Sequence, residues 1–243
     1  MTKVLTALFC FCMHSMGIAD DWAHAEAAYA TGAYPKAAQH YQAIHASGFR
    51  PAALYYNYAN SLFKQGHVNE AIAAYRNAQY LAPRDPDILV NLNYALESAG
   101  GSLPDAHWIE RAGTSLSQAE WARLGLLCYG FLMLLLFVIL LFASARKRAC
   151  FGLLLSTLGL LFCIAGVKIH SQIMYKNEYV IQADTPIHFA PLEQAAIQRT
   201  LPATALVRGS GNLHNEWIEV SYHDCRGWVK EDALIPLFPL ESL

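Results

Sequence analysis

Amide and aromatic side chains recur at helical spacing in the first half of the sequence. Asn57 and Asn60 stand one helical turn apart, and Asn91 and Tyr94 occupy the same two positions 34 residues later. A side-chain amide both donates a hydrogen bond to a carbonyl and accepts one from an N–H, so it suits the main chain of a bound peptide. The alternative is that these amides only cap or hydrate a groove.

The neighbours of Asn60 fall into two helical faces. Tyr56, Asn60 and Lys64 follow each other at intervals of four, which places them on one face, while Tyr55 and Ala59 fall on the adjoining face and are predicted to pack inward. The predicted partner-binding residues are Tyr56, Asn57, Asn60, Lys64, Asn91 and Tyr94.

The sequence shows no catalytic constellation beside these residues. Its ten histidines are scattered, and it has no Gly-x-Ser-x-Gly, no phosphate-binding loop and no His-Glu-x-x-His. The six cysteines have neither Cys-x-x-Cys nor metal-ligand spacing, and those in the apolar runs are predicted to act as small apolar side chains. A reactive Cys225 would have Asp224 beside it, which disfavours the thiolate. The prediction is a protein that is not an enzyme and holds no metal or cofactor.

Two uncharged runs determine on which side of a membrane the flanking segments are expected. Residues 124–145 and 149–167 contain no charged side chain, and at about 1.5 Å of rise per residue each is long enough as a helix to cross the roughly 30 Å core of a bilayer. The basic residues 146–148 predict a short cytoplasmic turn, because short Lys/Arg-rich loops stay in the cytoplasm. Both flanks are then expected on the opposite side of the membrane.

The first residues have the layout of a secretory signal peptide. Residues 1–19 contain a lysine near the start, a short apolar stretch and small residues before Asp20. A leader that is cut before Asp20 exports residues 20–123, which agrees with the side inferred from the basic turn.

A repeat follows the leader. Gly32, Gly66 and Gly100 are each 34 residues apart. Two further pairs share this spacing: Ala37 with Ala71, and Tyr41 with Tyr75. The alanines are predicted to let neighbouring helices approach and the tyrosines to fill the adjacent space. A 34-residue helix-turn-helix unit of this kind resembles the tetratricopeptide repeat.

This resemblance covers residues 20–100 and implies a peptide-binding groove, with the last helix as a cap. In peptide-binding members of that family, the positions matched by Asn60 and Asn91 hold the backbone of the bound segment. Tyr56 stands where carboxylate-binding members have a lysine, so no preference for a C-terminal carboxylate is implied.

The last part of the sequence alternates apolar and polar residues in short runs between turn signals, as strands do. These runs occupy residues 179–238, and the stretch from Trp217 to Tyr222 alternates throughout. The order of elements, above all Gly-Trp-Val at 227–229, resembles a bacterial SH3 domain. That resemblance implies a small closed barrel, with Trp217 and Trp228 as its surface residues, and many such domains bind cell-wall peptides.

The whole order of segments resembles the BatE family of bacterial aerotolerance-operon proteins. A leader, helical repeats, a connector at 101–123, a membrane hairpin and an SH3-like domain follow each other. Membership implies a component of an inner-membrane system that also contains von Willebrand A-domain membrane proteins and a MoxR-type ATPase, with a role in tolerance of oxidative or other envelope stress.

The predicted fold class is a multidomain membrane protein with an α-helical tetratricopeptide array, a two-helix transmembrane hairpin and a small all-β SH3-like barrel. Both outer segments carry more acidic than basic residues, so no nucleic-acid partner is expected. The predicted function is a non-enzymatic inner-membrane scaffold with both terminal domains in the periplasm, whose partners are membrane proteins and membrane lipid. The alternative is a peptidoglycan-binding anchor that acts through the SH3-like domain.

Overall fold

The computed structural model of the protein describes residues 17–101, 103, 112–141, 146–174 and 178–237, and it describes only the backbone of residues 140, 146–150 and 172–174. The described residues divide into two compact units. The first unit contains residues 17–81, 85–101, 103 and 178–237, and the second contains residues 82–84, 112–141 and 146–174.

The helices of the first unit follow the predicted 34-residue period. They are α1 (17–30), α2 (Tyr34–Ala46), α3 (Ala52–Lys64), α4 (Val68–Leu81) and α5 (Pro86–Ser98). The second and fourth helices begin 34 residues apart, and so do the third and fifth. Most of residues 1–19, the predicted leader, lies outside the described residues, whereas residues 17–19 belong to α1 and Ile18 packs against the helical core.

The glycines of the repeat end the helices. Gly32, Gly66 and Gly100 have φ angles of 78°, 84° and 69°, a conformation that glycine adopts without a steric penalty. The Gly66 N–H donates to the Phe63 carbonyl at 3.0 Å, and the next N–H donates to the Leu62 carbonyl at 3.0 Å. These two bonds satisfy carbonyls that the end of a helix leaves unpaired.

The paired alanines and tyrosines lie where the repeat predicts. Ala37 and Ala71 are fully buried, and Tyr41 and Tyr75 are almost completely buried beside them. A methyl group is the largest side chain that the close helix contacts admit, so the alanines set the distance between neighbouring helices.

We expect Ala37→Leu and Ala71→Leu each to destabilise the protein by about 1–3 kcal/mol, because the added bulk overpacks a close helix contact. Thermal unfolding followed by helix content measures the effect. Ala53→Leu is the matched control. Because Ala53 is exposed on α3, this variant should melt like the parent. If Ala37→Leu and Ala71→Leu also melt like the parent, the alanines do not set the helix contacts.

The strands of the first unit form one antiparallel sheet. They are β1 (Glu178–Ile181), β2 (Thr185–His188), β3 (Ile197–Leu201), β4 (Leu206–His214), β5 (Trp217–Tyr222), β6 (Cys225–Lys230) and β7 (Leu234–Pro236), with a short 3₁₀ helix at Glu231–Ala233. The strand order is β3-β2-β6-β5-β4-β1-β7. Among the described residues the ladder is therefore open, with β3 and β7 at its edges, where a closed barrel was predicted.

The sheet has its own apolar core, and the predicted alternation of β5 supplies part of it. Ile218 and Val220 are buried in this core, and Tyr222 packs against it. Gly227 lies where β6 passes close to β2: a Cβ atom there would be 2.4 Å from the His188 carbonyl oxygen. Any side chain at this position would push the two strands apart.

The sheet packs on α4 through a buried ion cluster that the sequence did not reveal. The Glu178 carboxylate lies 3.3 Å from Arg76 Nε and 3.5 Å from Arg208 Nε, and its side chain is only 2% exposed. The Asn77 amide donates to the Leu237 carbonyl beside this cluster. A buried carboxylate requires such partners, because burying an unpaired charge is strongly unfavourable.

The second unit is built from the two longest described helices, α6 (Gln118–Leu141) and α7 (Arg146–Met174). Both are long and apolar enough to cross a membrane, over Gln118–Ile139 and Phe151–Ser171. Helix α6 begins earlier than the predicted span, because Ser117 and Glu120 cap it reciprocally: Glu120 accepts from the Ser117 N–H at 2.9 Å.

The basic residues 146–148 form the first turn of α7 instead of a connection between the two helices. Arginine and lysine have high helix propensity, so the helix can begin with them. Residues 142–145, which complete the predicted connection, lie outside the described residues.

Small side chains line the face of α7 that packs on α6. They recur alternately every four and three residues, the spacing of a coiled-coil seam: Gly152, Ser156, Gly159, Cys163 and Gly166. The Ser156 hydroxyl donates to the Cys128 carbonyl of α6 at 2.8 Å. Small residues let two membrane helices approach closely, which is the main source of their packing energy in lipid.

Trp121 belongs to this helix contact. Its side chain is 5% exposed, and its indole N–H donates to the Gly113 carbonyl at 3.0 Å. The ring lies against Gly166, where a Cβ atom would be 2.5 Å from the indole. The absence of a side chain at residue 166 therefore makes room for the indole.

Gly166→Val should destabilise the helix pair by about 1–3 kcal/mol, because the valine would displace the Trp121 ring. The measurement is a thermal melt of the protein in detergent, monitored by tryptophan fluorescence. Ala165→Val places the same side chain at an exposed position of α7 and should leave the melt unchanged. Equal melts for all three proteins would contradict the role of Gly166.

Candidate functional site

The structure brings together three of the predicted partner-binding residues. Tyr56 and Asn60 of α3 face Asn91 of α5, although the two asparagines are far apart in the sequence. The Asn91 amide N–H₂ donates to the Tyr56 hydroxyl at 2.9 Å and to the Asn60 side-chain carbonyl at 3.3 Å. The 34-residue period produces this contact by placing α3 and α5 side by side.

Tyr75 of α4 is the fourth residue of this cluster. Its hydroxyl donates to the Asn60 side-chain carbonyl at 2.5 Å, and its ring lies 6.1 Å from that of Tyr56. Burial raises the pKa of Tyr75 above its ordinary value, so the hydroxyl stays protonated and remains a donor. Sequence reasoning identified Tyr75 only as a packing residue, because the pattern predicts its burial and not the direction of its hydroxyl.

The hydrogen bonds within this cluster leave two complementary groups unused. The Asn60 Nδ2 group and the Asn91 Oδ1 atom have no hydrogen-bond partner in the part of the chain that the structure describes. Both asparagines are half-buried and not fully enclosed, so these groups are accessible to a ligand. The cluster therefore offers one donor and one acceptor, which is what a peptide carbonyl and a peptide N–H require.

The other predicted residues lie around this cluster without joining its hydrogen bonds. Tyr94 is 62% exposed, and its ring packs 5.6 Å from that of Phe63. Lys64 is exposed at the end of α3. Asn57 is half-buried, and its main-chain carbonyl accepts a hydrogen bond from the Ser61 hydroxyl at 2.9 Å. Tyr94 and Phe63 add an apolar surface beside the two amides.

The two tryptophans predicted at the surface of the sheet differ in exposure. Trp217 is only 8% exposed, because the His188 ring packs against it at 5.1 Å and the Lys230 ammonium lies 5.8 Å from its ring centroid. The prediction of a surface position is wrong for Trp217. Trp228 is half-buried, with its ring 6.5 Å from that of His214.

The described cysteines Cys128, Cys163 and Cys225 are not in disulfides. Cys225 is half-buried at the start of β6. Within the described ranges, no three His, Cys, Asp or Glu residues are arranged to hold a metal ion. Of the predicted sites, the amide cluster is accordingly the one whose hydrogen bonds indicate what kind of ligand it binds.

No protein-family model matches the chain, and none of the curated proteins is similar to it. The functional argument therefore depends on the residues of this chain alone.

Proposed function

We propose that the protein is a non-enzymatic scaffold of the bacterial inner membrane whose helical groove binds an extended peptide segment of an envelope protein. In this proposal the helices α1–α5 are a tetratricopeptide-like array and the sheet is an SH3-like domain. The observation that carries it is the pair of unused amide groups on Asn60 and Asn91, held in place by Tyr56 and Tyr75.

A peptide main chain fits this pair directly. A peptide carbonyl accepts from Asn60 Nδ2, and a peptide N–H donates to Asn91 Oδ1. The hydrogen bonds from Tyr75 and Asn91 hold both amides in one orientation before a ligand arrives, which reduces the entropy lost on binding. The exposed ring of Tyr94, packed on Phe63, offers an apolar surface on which a side chain of the same peptide can pack.

Membrane insertion is supported by the two apolar helices, and orientation is supported by the basic residues 146–148. In the proposed arrangement these residues are cytoplasmic and both terminal parts are periplasmic. The resemblance to the BatE family adds the proposed partners: von Willebrand A-domain membrane proteins directly and a MoxR-type ATPase indirectly, in an aerotolerance or stress-related complex.

A second candidate function is a cell-wall anchor that binds peptidoglycan through the sheet. It is favoured by a cavity in the sheet beside His188 and Trp217. Co-sedimentation with purified cell wall tests this function separately from peptide binding in the groove.

Asn60→Ala combined with Asn91→Ala should weaken peptide binding roughly ten- to a hundred-fold, because each lost amide hydrogen bond costs about 0.5–1.5 kcal/mol. A photo-crosslinking amino acid at position 94 captures the partner in cells, and mass spectrometry identifies it. The same amino acid at position 49 is the reference, because Phe49 is exposed in the connection between α2 and α3, outside the groove.

Asn93→Ala is the matched variant for this experiment, since Asn93 is exposed on the same helix as Asn91. It should keep the crosslink that the double variant loses, while circular dichroism verifies that both variants are folded. A folded double variant that retains the crosslink at position 94 would exclude the amide pair as the docking site.

The proposed topology has its own test. Alkaline phosphatase fused after Leu243 should be active, because that enzyme folds only on the periplasmic side, and a cytoplasmic reporter at the same point should be inactive. The opposite pair of results would place the sheet in the cytoplasm. Changing residues 146–148 together to glutamate should reduce the fraction of correctly oriented protein.

A further inference from the structure

The sheet contains a cavity of about 270 Å³ that is separate from the amide cluster. It lies between β2, the loop that follows β2, the start of β5 and the 3₁₀ helix. Its polar and aromatic wall residues are Thr185, His188, Glu193, Trp217, Lys230 and Asp232. The hydrogen-bonding state of these side chains shows which kind of ligand the cavity can accept.

His188 contributes an acceptor to the wall. Its side chain is 7% exposed, and its Nδ1 atom lies 3.0 Å from the Ala195 carbonyl oxygen. Because a carbonyl can only accept, Nδ1 carries the hydrogen, and Nε2 of the neutral ring is an acceptor. Nε2 has no hydrogen-bond partner among the described residues, so it is open to a donor of a ligand.

Two further acceptors share the cavity with His188. The Thr185 hydroxyl donates its hydrogen to the Ala183 carbonyl at 2.6 Å, which leaves its oxygen as an acceptor. The Asp232 carboxylate is exposed and forms no ion pair within the described ranges. The wall therefore presents an imidazole nitrogen, a hydroxyl oxygen and a carboxylate, all able to accept a hydrogen bond.

Lys230 is the one cation of this wall, and it is already engaged. Its Nζ atom lies 2.5 Å from Glu193 Oε1 and 5.8 Å from the centroid of the Trp217 ring. The hydrogen bond that Lys230 donates to the Glu193 carboxylate raises the pKa of Lys230, so the ammonium stays charged and paired. With Glu193 and Asp232 against Lys230, the wall has an excess of negative charge.

We propose that this cavity binds the ammonium group of a peptide, with His188 Nε2, Thr185 Oγ1 and the Asp232 carboxylate as its acceptors. An ammonium has three donors and no acceptor, which matches this set, and the Trp217 ring attracts a cation. A carboxylate ligand would meet Asp232 and Glu193, and the ammonium of this wall, Lys230, is already paired with Glu193. The inference deepens the second candidate function and is independent of the groove.

Three peptides test the proposal by calorimetry on the full chain in detergent. They are acetyl-Ala-Lys-Ala-amide, the same peptide with acetylated lysine, and the same peptide with norleucine. Only the first should bind, because only it carries an ammonium. Asp232→Asn should weaken that binding about fivefold, the effect of one partly exposed ion pair. Asp224→Asn, an exposed carboxylate in the turn between β5 and β6, should leave it unchanged.

Equal binding of the lysine and norleucine peptides would overturn the proposal, because the cavity would then recognise only the apolar stem. Equal affinities for Asp232→Asn and Asp224→Asn would also overturn it. The Asn60→Ala, Asn91→Ala double variant should bind the lysine peptide as tightly as the parent does. If it does not bind, the peptide binds in the helical groove and not in this cavity.

The ammonium has two sources, a lysine of a protein and the free amine of a cell-wall peptide. Purified cell-wall fragments with free or acetylated amines distinguish them. Binding of the free form alone supports the ammonium site with a cell-wall ligand. Binding of the lysine peptide without binding of either fragment supports the site with a protein ligand.

Discussion

The 34-residue register of the helices is the constraint on which the amide cluster depends. Glycines in the left-handed conformation end the helices at equal intervals, and fully buried alanines set the distance between helices. Asn91 corresponds to Asn57 in this register, and Asn60 lies one helical turn beyond Asn57 on the same face. Since each residue rotates a helix by about 100°, one inserted residue would turn Asn91 away from its partner. The binding geometry is thus a consequence of how the helices begin and end.

The first unit uses different helices for different contacts. Helix α4 carries the buried Arg76–Glu178 pair on which the sheet packs, and α3 and α5 carry the amides. Tyr75, one residue before Arg76, joins the two regions because its hydroxyl reaches Asn60. A buried charge pair tolerates little displacement, since separating its members leaves an unpaired charge. The sheet can therefore hold α4 in the position from which Tyr75 orients the first amide.

The two helices of the second unit associate through interactions of a different kind. These helices are long and apolar enough to cross a membrane, and in lipid such helices would gain no hydrophobic energy from each other, so their association would depend on close packing and on interhelical hydrogen bonds. The small residues of α7, the Ser156 bond to the Cys128 carbonyl and the fit of Trp121 over Gly166 supply these. The apolar composition predicts that such helices cross a membrane, but it does not predict which faces meet.

The sequence by itself determined the properties that depend on local periodicity and composition. The 34-residue period, the burial of Ala37 and Ala71, the alternation of β5 and the two apolar helices are all readable from residue order, because helices and strands place side chains at fixed intervals. Only the tertiary structure decided that Trp217 is buried by His188, that Glu178 lies between two guanidinium groups and that Tyr75 bonds to Asn60. These contacts join residues that are distant in sequence. Their geometry depends on how complete elements pack, which no local pattern records.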